Sequence, residues 1–178
     1  VSVSVPPGYI AGTWNIDPIH SEVAFSVKHL GIAKIKGRFD RFEGQIVTGE
    51  DPLESSVTAT IEASSVSTRS EQRDAHLLAP DFLHTEEFPD LKFTSTGVRP
   101  DGDTFLVDGE LTLRGVTRPV TLSLEVNGFG KGYEGKAIAA FSASTEINRT
   151  EFGVTGGAAG AMIGETITIT LEAEATEA

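Results

Sequence analysis

The chain has 178 residues, a formal net charge of −12, 22% charged and 39% hydrophobic residues, and no cysteine. That is the composition of one globular domain large enough to bury a sizeable core. It excludes disulfides, thiolate nucleophiles and Cys-ligated zinc. The acidic balance, with no Lys/Arg stripe interleaved with aromatics, excludes nucleic acid as a partner and disfavours tight binding to anionic headgroups. No segment approaches the roughly 18 apolar residues needed to span a bilayer, so stable membrane insertion is not expected.

At the N-terminus, VSVSVPPGYIAG has neither a basic region nor an apolar run. The expectation is therefore a cytoplasmic chain, with Val1 in place of Met leaving room for a leader removed earlier. Period-2 alternation then dominates. Trp14 to Gly31 reads as a first strand in which Val23, Phe25 and Val27 share a face opposite Glu22, Ala24, Ser26 and Lys28. Ile35, Gly37 and Phe39 alternate with Lys34, Lys36, Arg38 and Asp40, and the parity change to Phe42 predicts a bulge near Asp40-Arg41. Val57, Ala59, Ile61 and Ala63 give a further strand.

Residues 68–84 break the pattern. Thr68 and Glu71 are spaced as a capping box, and Pro80 suits the first turn of a second short helix. A weaker strand follows at about 91–99. Strands then carry Phe105, Val107, Gly109, Leu111 and Leu113, and Val120, Leu122, Leu124 and Val126. A weak segment spans about 133–147, and the last strand carries Ile167, Ile169 and Leu171. Gly156 to Ala161 reads as a flexible loop, and the acidic tail from Glu172 as frayed.

The total is about eight strands, many at hairpin distance, so the sheet is expected to be antiparallel. The helical insertion is too short to cover it. The apolar face must be buried by the sheet itself, closed as a barrel or folded as a sandwich. That face mixes bulky residues with Gly37, Ala59, Ala63, Gly109, Ala137, Ala139 and Ala143. Such small residues either permit strand crossings and corners or leave an internal cavity.

Catalytic signals are sparse. The four histidines, His20, His29, His76 and His84, show no metal-ligand spacing. Asp17, His20 and Ser21 hold the side chains of a nucleophilic triad but lie too close in sequence for its geometry; a turn held by local hydrogen bonds is the better reading. His29 continues the inward parity and is either a core histidine or a polar contact at a barrel mouth. Arg73-Asp74 is either a structural ion pair or a clamp for a ligand headgroup.

Several blocks then occur in order. These are Trp14 to Gly31, Gly37-Arg38-Phe39, Arg73-Asp74 with His76-Leu77, Phe82, and Phe88-Pro89 with Phe93 to Thr96. Gly109-Glu110-Leu111-Thr112-Leu113-Arg114-Gly115-Val116-Thr117 and Ile147-Asn148-Arg149 with Phe152-Gly153 complete them. Together they resemble the YceI family of polyisoprenoid-binding proteins, over about residues 12–174 of a single domain spanning 1–178. Phe88-Pro89 departs from the family's usual Tyr-Pro.

The resemblance implies an all-β fold, an extended antiparallel eight-stranded lipocalin-like barrel with a short helical insertion. Its interior would hold a long-chain polyisoprenoid or isoprenoid quinone. The ligand-binding candidates are Val23, Phe25, Val27, Ile35, Phe39, Ile61, Phe93, Phe105, Val107, Leu111, Leu122, Leu124, Phe141, Ile167 and Ile169 on the apolar face. His20, His29, Arg73 and Arg149 are the polar candidates at the mouth, and Leu77, Leu78, Phe82 and Leu83 are expected to pack over it as a lid. No catalytic residue, metal or tightly held cofactor is expected. The partner is a long-chain apolar lipid, and the oligomeric state is open, a homodimer included. The competing readings are an enzyme acting on an isoprenoid or quinone and a ligand-free stress or interaction module.

Overall fold

The computed structural model describes residues 5–178. Its strands are β1 (Gly12–Ile16), β2 (Glu22–His29), β3 (Ala33–Phe39), β4 (Phe42–Thr48), β5 (Ser56–Glu62), β6 (Val66–Ser67), β7 (Asp90–Asp101), β8 (Thr104–Leu113), β9 (Val116–Lys131), β10 (Ala137–Asn148) and β11 (Ile163–Glu177). One α-helix, α1 (Glu71–Leu77), lies between β6 and β7.

The segments assemble into a closed antiparallel barrel of eight staves. Three staves are broken strands. β1 and β2 lie end to end beside β11, β4 and β3 lie end to end on their other side, and β5 and β6 complete the third position. The remaining staves are β7, β8, β9, β10 and β11, and pairing of β1 with β11 closes the ring. Closure removes the free edges that an open sheet of this size would expose.

The breaks correct the sequence reading at two places. Residues 14–31 are not continuous: Pro18 has no N–H to donate, and Asp17 folds the chain by accepting from the Ile19 N–H at 2.9 Å. Ser21 repairs the seam. Its hydroxyl donates to the Glu174 carbonyl and accepts from the Glu174 N–H, at 3.2 and 3.0 Å, so β11 keeps its bonding across the gap. At Asp40-Arg41 there is a corner and not a bulge. Phe39 ends its pairing with β2 and β6, and Phe42 starts pairing with β5. Arg38–Asp40 and Arg41–Glu62 ion pairs flank the corner.

Four further expectations change. Ser70 caps α1 by accepting from the Arg73 N–H, while Thr68 is drawn away to Asp74. Residues after Pro80 form successive turns, with no second α-helix. Gly157–Met162 is a 3-10 helix held by Arg149, where a flexible loop was expected. The acidic tail is the end of β11: Ala175 is fully buried, and Trp14 lies opposite Glu177.

Alternating direction sorts the connections onto two ends. One, the insertion end, carries the β2–β3 turn, α1 and its following turns, the β8–β9 turn and residues 149–162. The other carries the start of β1, the end of β11 and the β4–β5, β7–β8 and β9–β10 connections. At the terminal end Trp14, Ala139, Phe141 and Ala175 pack as a plug, with the Trp14 indole N–H donating to Thr48 Oγ1 at 2.8 Å. A larger cluster, including Phe39, Phe82, Leu91, Phe93, Leu113 and Phe152, fills the insertion end.

Candidate ligand-binding tunnel

Inward parity along the staves leaves a cavity of about 510 Å³ inside the barrel, within the size range of small-molecule sites. Its wall is almost wholly apolar. The apolar ligand-binding candidates all border it, from Val23, Phe25, Val27, Ile35 and Phe39 through Ile61, Phe93, Phe105, Val107 and Leu111 to Leu122, Leu124, Phe141, Ile167 and Ile169, whereas Ala63, Ala137 and Ala139 of the same expected face do not. Phe42, Ile46, Val57, Leu91, Ile147 and Leu171 also line it. Phe42, Gly44 and Ile46 alternate in the sequence, so β4 was legible; the parity change at Phe39–Phe42 hid it.

The small residues do two different things. A methyl on Gly37 would stand 2.4 Å from Phe25 Cζ, and one on Gly109 would stand 2.4 Å from Phe93 Cζ. Each glycine therefore leaves the space that a phenyl ring of the neighbouring strand occupies. Ala139 is packed into the terminal plug, and Ala63 sits in the core. Ala59 and Ala143 border the open space.

The polar candidates divide likewise. His29 is half-buried at the end of β2 and lines the cavity. Arg73 also borders it, but it makes no ion pair with Asp74. Both bind Thr68 instead: Arg73 donates to Thr68 Oγ1 and its carbonyl, and Asp74 accepts from the Thr68 N–H and hydroxyl.

Arg149 is 5% exposed and touches the wall. Its Nε donates to the Gly164 carbonyl (2.8 Å), Nη1 to Val154 and Thr155 (2.8 and 3.0 Å), and Nη2 to Gly160 and Ile163 (3.0 and 3.2 Å). All five guanidinium N–H groups are thereby spent on backbone, which leaves no donor for a headgroup.

His20 is not at a mouth. It lies outside the seam, with Nδ1 2.6 Å from Asp17 and 3.3 Å from Glu174, and these two carboxylates raise its pKa above the ordinary imidazole value.

From the insertion, Leu77, Phe82 and Leu83 reach the cavity, while Leu78 packs on the surrounding core. The segment is tied down from two sides. Arg114 Nη2 donates to the Pro80 carbonyl, and the Gly156 N–H donates to the Asp81 carbonyl. It covers the insertion end of the barrel, where the lid was expected.

A closed eight-stranded barrel around an apolar tunnel, capped by a helical insertion, defines a lipocalin-like barrel. The YceI-like domain model matches residues 14–175. A UPF0312 protein of Photorhabdus laumondii is 40% identical over 134 residues, covering 75% of this chain and 70% of that protein. The crystal structure of the Campylobacter jejuni YCEI protein superposes with a TM-score of 0.75 at 31% identity, covering 85% of this chain and 90% of that one. A polyisoprenoid binding domain from Saccharophagus degradans, implicated in plant cell wall breakdown, shares the fold with a TM-score of 0.72 at 16% identity, over 95% of this chain and all of that one. The chain belongs to the YceI-like domain family.

Proposed function

We propose that the tunnel holds one long-chain polyisoprenoid or isoprenoid quinone, and that the protein carries or stores it. The observation that carries this reading is the 510 Å³ apolar cavity running along the barrel. Withdrawing an isoprenoid tail into it removes hydrocarbon from water at about 0.8 kcal/mol per buried CH₂, before ordering costs. The polyisoprenoid binding named for the Saccharophagus degradans domain, which has the same fold, points the same way.

Carriage is favoured over turnover by where the polar groups sit. His29 stands at one strand end, Arg73 and His76 on the insertion, and Glu22 and Glu43 beside the strand breaks. Among the described residues, no hydrogen bond joins any two of these five titratable groups, so they form no nucleophile–base pair; the hydrogen-bonded hydroxyls of Tyr9 and Ser55 on the same wall have no titratable base beside them.

Trp14, the single tryptophan, packs against Phe141 on the cavity wall and serves as an intrinsic probe. Titration with an isoprenoid quinone should quench its emission saturably. Native mass spectrometry of protein from its own host should show an extractable lipid. Absence of both would remove the proposal, and chemical conversion of the quinone would favour the enzyme reading.

A further inference from the structure

The β2–β3 turn is an unusual place for large apolar side chains. Leu30 and Gly31 both have left-handed backbone, φ 55° and 73°, and the Ile32 N–H donates to the His29 carbonyl at 3.3 Å. Primed turns of this kind favour Asn or Gly at the first position, and a leucine held there is strained. Yet Leu30 is 59% exposed and Ile32 is 91% exposed, so the strain is not offset by burial. Met162, whose carbonyl accepts from the Leu30 N–H at 2.8 Å, is 47% exposed and also borders the tunnel. Three bare apolar side chains thus stand together where the tunnel wall reaches solvent.

The charge around them runs against the rest of the molecule. No Asp or Glu occurs between Val23 and Arg38 in a chain of net charge −12. The neighbouring strand β11 carries Glu165 in its bulge between the pairings Ile163–His29 and Ile167–Val27, exposed and without an ion pair among the described residues. Lys28 lies opposite Lys34, and Lys36 follows on the same outward face. Among the described residues, none of these lysines makes an ion pair. An unpaired cationic stripe beneath an apolar tip is complementary to a bilayer, with phosphates outside and hydrocarbon within.

We infer that the β2–β3 tip docks on an anionic membrane surface, Leu30, Ile32 and Met162 entering the headgroup boundary and Lys28, Lys34 and Lys36 facing lipid phosphates. The net negative charge elsewhere keeps the contact brief and salt-sensitive. The docked orientation presents the tunnel mouth beside Met162 and His29 to the bilayer. That consequence rests on the tunnel reading, whereas docking itself does not.

The test is flotation with vesicles of phosphatidylcholine, alone or mixed with phosphatidylglycerol. The wild-type protein should float with the mixed vesicles only and be released by salt. Lys34→Gln with Lys36→Gln should weaken this association about 30-fold, and Leu30→Asn with Ile32→Ser by about tenfold or more. Asparagine suits the left-handed position, so the second pair should fold at least as well as wild type. From quinone-loaded vesicles, both pairs should slow Trp14 quenching without lowering its final amplitude. Failure of wild type to float with mixed vesicles, or equal flotation of all three proteins, would overturn the inference. Normal flotation without any quenching would remove the tunnel reading alone and leave the docking surface standing.

Discussion

Replacing Arg149 by methionine separates a structural from a ligand-binding role for the one arginine buried in the tunnel wall. Methionine keeps most of the aliphatic stem and removes five N–H groups from the carbonyls of Val154, Thr155, Gly160, Ile163 and Gly164. Hydrogen bonds to a charged group contribute about 1.5–3 kcal/mol each, but their simple sum overstates the loss. Thr155 is exposed and Gly160 half-exposed, so their carbonyls regain water, whereas Val154 is buried and its carbonyl does not. No carboxylate is among the partners of the guanidinium, so deleting it also relieves the cost of burying a cation. With the carbonyls of Val154, Ile163 and Gly164 left buried or half-buried at about 1–3 kcal/mol for each unsatisfied acceptor, the net loss expected is about 3–5 kcal/mol, a large share of a typical stability of about 5–15 kcal/mol. Urea unfolding followed by Trp14 emission should show a lower midpoint at constant slope, with faster amide exchange concentrated in residues 149–163. Arg149→Lys should restore only part of the loss, since an ammonium has three donors and no fork. A variant that loses less than about 1 kcal/mol yet no longer binds quinone would refute the reasoning and return Arg149 to the ligand.

Phe93→Asp should abolish quinone quenching and destabilise the barrel by burying an unpaired carboxylate, whereas Lys92→Asp, on the outer face of the same strand, should leave quenching unchanged; equal effects would falsify the assigned parity. Gly109→Ala meets both the Phe93 ring and the Thr94 carbonyl, so it should displace the ring toward the tunnel and strain the β7–β8 pairing, reducing the number of bound isoprene units and costing about 1–3 kcal/mol, measured by native mass spectrometry and urea unfolding. The His20 imidazole, held by Asp17 and Glu174, should titrate above the ordinary value of about 6.5 by proton NMR, and Asp17, held by His20, below the ordinary Asp value. The seam contact should therefore be complete between those limits. It should weaken as pH rises through the raised His20 pKa, where the proton leaves, and as pH falls through the lowered Asp17 pKa. A His20 midpoint at or below 6.5 would contradict the geometry.

Much of the barrel wall was written locally. Strand side chains alternate with a period of two, so once Val23, Phe25 and Val27 are known to be inside, the faces of Ser26 and Lys28 follow without any knowledge of the partner strand. That is why the lining residues could be named one stave at a time. The blocks that made the family recognisable turn out to be largely seams: Asp17, His20 and Ser21 carry the chain across the β1–β2 break, and Asn148 and Arg149 organise the loop before β11.

What tertiary structure alone decided was the meaning of residues whose partners are distant in sequence. Gly37 and Gly109 read as candidate voids until Phe25 and Phe93 are seen lying over them from neighbouring strands. The tail from Glu172 alternates glutamate with alanine, and Ala173 and Ala175 continue the parity of Leu171 with side chains too small to mark a buried face by themselves; pairing with β1 and β10 shows that face to be inside. Leu30, Ile32 and Met162 meet at one point because β2 and β11 are neighbours in the ring. Alternation is a property of one strand, whereas closure, cavity and rim arise from how eight staves meet, and no single strand records that.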